Sequence, residues 1–151
     1  MKRGNKRMAG SDPLSVLVVD EDTSVLAFLA RLLDANGIRA LLARSAEEAL
    51  SIAQRSYVTI NLILTDVTVR EAVNDSVSES AGAQLASRLR EMRPDVRVLY
   101  MSAYTDAGIV RIQLMNRQGS QPDGVAGNDL IAAIRGEAIA SMVAHAGMPA
   151  A

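Results

Sequence analysis

Two acidic positions follow directly on apolar runs: Asp20-Glu21-Asp22 after Leu14 to Val19 (LSVLVV), and Asp66 after Ile60 to Thr65 (INLILT). A third run, Val96 to Met101 (VRVLYM), leads into the hydroxyl of Ser102. In an open α/β sheet, sites form outside the carboxyl ends of the strands, where the strand order reverses. Carboxylates gathered there repel and raise one another's pKa unless a cation compensates. A hard divalent ion with oxygen ligands and several retained waters, Mg²⁺ above all, suits that need. The plainer readings are solvated acids, a helix-start cap for Asp22 and a helix-preceding polar residue for Ser102. For Asp22 alone the cap is the better reading; for Asp20 and Asp66 together, function is.

Composition removes many other chemistries. The 151 residues contain no Cys, which excludes disulfides, thiolate metal sites and a cysteine nucleophile. His145 is the only histidine, which argues against a His-based metal cluster or a Ser-His triad. Lys+Arg 16 against Asp+Glu 17 gives net charge −1, so no broad basic surface is available for nucleic acid or anionic lipid. No apolar stretch approaches the roughly 18 to 20 residues that span a bilayer. Lys2, Arg3, Lys6 and Arg7 are followed by no apolar h-region, so the start reads as a solvated tail, not a secretory signal, and the expected compartment is the cytoplasm.

The elements that position the acids are legible from periodicity. Leu14 to Val19 reads as a strand buried on both faces. Val25, Leu26, Leu29, Leu32 and Leu33 form one apolar stripe, predicting a helix over Thr23 to Ala35 with Asn36-Gly37 as its stop. Ile38 to Ala43 is a second strand, and Ser45 with Glu48 a capping box opening a helix to about Gln54. Ile60 to Thr65 is the third strand, Val67 to Ala81 a long loop, and Gly82 to Met92 a helix closed by Arg93-Pro94. A fourth strand at Val96 to Met101, a helix at Asp106 to Asn116, a fifth strand within Gln118 to Gly127 and a last helix from Asn128 to about His145 complete the reading. Strands alternating with helices imply parallel crossovers and one three-layer α/β domain.

VLVVDED (Val16–Asp22), LILTDV (Leu62–Val67) and LYMSAY (Leu99–Tyr104), in this order and at these separations, resemble the receiver domain of bacterial response regulators. The resemblance spans roughly Leu14 to His145. It implies a doubly wound, five-stranded parallel sheet of flavodoxin-like order 2-1-3-4-5 with helices on both faces. It divides the chain into a flexible basic tail at 1–13, a receiver domain at 14–145 and a short C-terminal tail at 146–151. Asp66 is then the phosphoacceptor, and Ser102 contacts the phosphoryl group once Asp66 is modified. Asp20, Glu21, Asp66 and the backbone carbonyl of Thr68 hold Mg²⁺. Tyr104 is left open between a surface contact and a switch element. The implied role is a single-domain phosphorelay receiver, a signalling domain and not an enzyme. Its implied partners are a sensor histidine kinase or histidine phosphotransfer protein upstream and a protein downstream, with no direct DNA or membrane binding.

Three features depart from the family pattern. The lysine usually placed at the end of strand five has no counterpart, since Lys2 and Lys6 are the only lysines; Gln121, before Pro122, is the best match and brings no charge. Arg117 is an alternative cation, more simply read as a surface residue. The Met-Pro turn after the acceptor is replaced by the longer 67–81 segment with Glu71, Asp75 and Glu79. No aromatic switch residue stands near Gly119 to Gly127. These departures support a competing reading, a phosphorylation-independent interaction module of receiver fold. Asp20-Glu21-Asp22 also fits the D-x-D of haloacid-dehalogenase-type phosphatases, in which Asp22 acts as general acid/base. Without G-x-G-x-x-G after the first strand, dinucleotide binding is excluded.

Overall fold

The computed structural model describes residues 13–55, 57–66, 81–115 and 130–136. Their strands form one sheet of order β2-β1-β3-β4-β5, the order expected from the sequence motifs. The first three strands are β1 (Ser15–Val19), β2 (Arg39–Ala43) and β3 (Leu62–Asp66), followed by β4 (Arg97–Asp106) and β5 (Ile109–Met115). Between them lie α1 (Thr23–Ala35), α2 (Ala46–Ala53) and α3 (Ala81–Met92), and 130–136 is helical.

Strand alternation separates two cores. Val16 and Val18 of β1 and Leu62 and Leu64 of β3 face α1, meeting Val25, Leu26, Leu29 and Leu33, with Leu130 and Ile134 of the last helical stretch. Leu17, Val19 and Ile63 face the other way, onto Ala49, Leu50 and Ala53 of α2 and Leu85 and Leu89 of α3. Buried on both faces, β1 and β3 contain no exposed residue. Each fully buried Leu, Ile or Val contributes about 1.5–3 kcal/mol by leaving water.

Local chemistry sets where α1 and α2 begin and end. Asp22 caps α1 by accepting the Ser24 N–H at 2.8 Å. Gly37, at φ +73°, ends α1 in a Schellman arrangement: the Ile38 N–H donates to the Leu33 carbonyl at 2.9 Å and the Gly37 N–H to the Asp34 carbonyl at 3.0 Å. Ser45 caps α2, its Oγ accepting the Glu48 N–H at 3.1 Å, while the Glu48 side chain reaches back one residue past the cap, its Oε1 accepting the Arg44 N–H at 2.6 Å.

The sequence-based reading fails over Asp106 to Asn116. The helix expected over Asp106 to Asn116 is instead β5, and it runs antiparallel to β4, whereas a parallel fifth strand was expected. Val110, Ile112 and Leu114 join the α1-side core at period two, with Arg111 and Gln113 between them. That alternation, with β-branched residues, wins over the weaker helical pattern. Ala107 and Gly108, at φ 51° and 79°, make the connecting turn, both positive as a two-residue type I′ hairpin requires. The fifth strand expected within Gln118 to Gly127 lies outside the described residues.

Candidate functional site

β1 and β3 are parallel neighbours whose last register pair is Val19 with Thr65. The next residues along, Asp20 and Asp66, therefore stand side by side at the carboxyl ends of these strands on the α1 face, as alternation from Val18 and Leu64 requires. Both are buried, at 2% and 8% exposure, and Asp66 is close enough to push the Asp20 carboxyl toward its protonated form. Asp20 is held from below by its own N–H on the Ala43 carbonyl at 3.1 Å. From above, its Oδ1 accepts the Asp22 N–H at 2.8 Å. Among the described residues, its Oδ2 is buried without a hydrogen-bond partner.

That environment pushes the Asp20 carboxyl up to about 7. Burial is the largest cause. The Asp22 N–H opposes it, and contact with Asp66 and the charges of Asp66 and Asp22 add to it. Such a pair is short of positive charge. A hard cation that keeps most of its water and takes one or two carboxylates fits it, with the orphan Asp20 Oδ2 as the available ligand atom.

The other expected site residues are distributed differently. Glu21 is exposed and lines an open cavity with Arg44, Ser45 and Glu48. Among the described residues, no group of three acidic or imidazole side chains is arranged to hold a metal ion. Asp66 is in register with Met101, so Ser102 stands one residue beyond it on β4. Met101 and Ala103 pack into the α1-side core. By alternation Ser102 belongs to the opposite face, beside Tyr100, which packs on Ala86 of α3. Thr68 and Gln121 lie outside the described residues, as does Arg117.

One residue was missed. Thr105 shares the face of Met101 and Ala103, and its hydroxyl donates to Asp22 Oδ2 at 3.1 Å. A second hydroxyl three residues after Ser102 in MSAYTD is the available signal, and it gains a direction only on a strand that continues past Met101. With Oδ1 on the Ser24 N–H and Oδ2 on Thr105, Asp22 is engaged as a cap.

The response regulator receiver domain model matches residues 16–118. Solved structures with the same fold include a CheY-like response regulator receiver domain protein from Methanospirillum hungatei JF-1, 19% identical with TM-score 0.62, covering 86% of this chain and 97% of that one. A response regulator receiver domain protein from Clostridium thermocellum is 20% identical with TM-score 0.62, covering 86% and 98%. The receiver domain of the hybrid histidine kinase CckA is 24% identical with TM-score 0.57, covering 82% and 98%. No curated protein sequence matches. By its match over more than half its length, this chain belongs to the response regulator receiver domain family.

Among the described residues, no helix is long and apolar enough to cross a membrane.

Proposed function

We propose that the chain is a cytoplasmic phosphorelay receiver that accepts a phosphoryl group on Asp66 from a histidine kinase or phosphotransfer protein and signals by protein contact. The observation that carries this reading is the buried Asp20–Asp66 pair with an unpartnered carboxylate oxygen. A carboxylate oxygen of Asp66 attacks the phosphorus of the donor's phosphohistidine. The P–O bond forms as the P–N bond breaks, and the imidazole leaves with its electron pair and takes up a proton. Asp20 and Asp66, with the Thr68 carbonyl, are the proposed Mg²⁺ ligands, and Glu21 joins through water. The ion's contribution is to neutralise charge on the phosphoryl oxygens, the main requirement in this chemistry. Asp20 keeps the acceptor oriented, and the burial of both acids limits water at the reacting oxygen.

A second reading, the phosphorylation-independent interaction module, draws support from the same structure. Glu21 faces outward, Ser102 stands on the face away from Asp66, and the only lysines are Lys2 and Lys6. Intact-mass spectrometry after incubation with Mg²⁺ and acetyl phosphate separates the two. The receiver reading expects one phosphoryl adduct that disappears in Asp66→Asn. No adduct on a folded, Mg²⁺-loaded chain, with acetyl phosphate and with a phosphohistidine donor alike, favours the interaction module.

A further inference from the structure

The β4–β5 hairpin is joined to the acid site by a short chain of hydrogen bonds. Thr105 Oγ1 donates to Asp22 Oδ2 at 3.1 Å, and Asp22 Oδ1 accepts the Ser24 N–H at 2.8 Å. The Asp22 N–H in turn donates to Asp20 Oδ1 at 2.8 Å. With both its oxygens engaged, the Asp22 carboxylate fixes the peptide that orients Asp20. Among the described residues, the other ties of the hairpin at this end are mainly the apolar packing of Ala103 and Val110 on the α1-side core. β3 stops pairing with β4 at Met101, so, among the described residues, 102–106 pair with β5 alone. The Asp106–Arg111 ion pair, at 3.8 Å and more than half exposed, adds little.

Taking the acid pair as a metal and phosphoryl site, we propose that Thr105 is a positioning residue. Its hydroxyl holds Asp22, and through the Asp22 backbone Asp20, so that the hairpin and divalent-ion binding are energetically coupled. Direct contact with Asp66 is not how it acts. Thr105 lies four residues beyond the register partner of Asp66, about 13 Å along the strand. Ser102, on the opposite face, does not share the link. Coupling of this kind is reciprocal: if the closed hairpin favours the ion, the ion favours the closed hairpin.

The test uses the full chain and Mg²⁺ itself. Thr105→Val keeps the β-branched shape and removes the hydroxyl, while Thr105→Ser restores it. By calorimetric titration, Mg²⁺ affinity is expected to fall about fivefold in Thr105→Val, the worth of one ordinary, solvent-accessible hydrogen bond, and to stay at the wild-type value in Thr105→Ser. Amide exchange at 107–110 is expected to slow on Mg²⁺ addition in the wild type and Thr105→Ser, but not in Thr105→Val. Equal affinity and an equal exchange response in Thr105→Val overturn the role of Thr105 and leave the acid-site reading standing. A wild type that binds no Mg²⁺ overturns both. The unsubstituted chain is also a test: hairpin amides indifferent to bound Mg²⁺ overturn the coupling whatever the variants do.

Discussion

The two ends of the sheet treat their polar groups in opposite ways. At the amino ends of the strands, Asn61 accepts the Ser15 N–H on its side chain at 2.8 Å, gives its own N–H to the Ser15 carbonyl at 2.9 Å and accepts the Arg97 N–H at 3.3 Å. Beside it, the Arg93 guanidinium donates to the carbonyls of Ala53, Arg55 and Val58 at 2.7–3.3 Å. That one side chain closes the end of α2 and the chain that follows it. At the carboxyl ends, Asp20 is buried with an oxygen left unpartnered against a second acid. An interior carboxylate in that state destabilises the fold. One end is built to hold the domain together; the other stores unfavourable energy that a ligand can release.

The largest test of that contrast is at the satisfied end. Arg93→Met removes the guanidinium donor from three carbonyls, of which that of Arg55 keeps the Val58 N–H, and is expected to cost about 3 kcal/mol in urea denaturation, with Mg²⁺ affinity unchanged. A loss of Mg²⁺ binding in this variant would show that the two ends are not independent.

At the strained end the expected sign reverses. The folded chain keeps the Asp20 proton up to about pH 7, whereas an unfolded carboxyl releases it near its ordinary value of about 4. Between those values the folded state binds more protons, so without divalent ions this group makes stability fall as pH rises. Asp20→Asn is therefore expected to gain on the order of 2 kcal/mol at pH 8 and to lack that part of the decline, while losing stabilisation by Mg²⁺. Superimposable pH–stability profiles for the two proteins would contradict it.

The smallest effect belongs to the hairpin. Ala107 sits at φ 51°, where an alanine is strained and asparagine before glycine is favoured. Ala107→Asn is expected to raise stability by about 0.5 kcal/mol, read as a small rise in melting temperature. No gain would argue that the turn is not what limits this edge.

The half of the fold around β1 and β3 was legible because its signals agree. LSVLVV and INLILT are continuous apolar runs ending in acid, and the α1 stripe and its Asn36-Gly37 stop leave no competing pattern. The Asp20–Asp66 pairing follows from two strand ends that adjoin in the sheet. β5 was not legible because Ile109, Val110, Ile112 and Leu114 suit both a short helix and a strand, and Ala-Gly is a weaker hairpin signal than Asn-Gly. That error carried into the site. With β4 assumed to end at Met101, Ser102 belonged to a loop free to turn toward Asp66. On a strand that continues to Asp106, alternation assigns Ser102 to the other face and brings Thr105 to Asp22.

The two-residue turn at Ala107-Gly108 also sets what each strand pair costs the chain to assemble. Ser15 and Asn61, which join β1 to β3, are 46 positions apart, while Asp106 and Ile109 meet across the turn itself. Because closure entropy grows only with the logarithm of loop length, the difference is about 2 kcal/mol. It falls wholly on the central pair. The acids thus come together only after a long-range closure, beside a hairpin whose own pairing asks almost nothing of the rest of the chain.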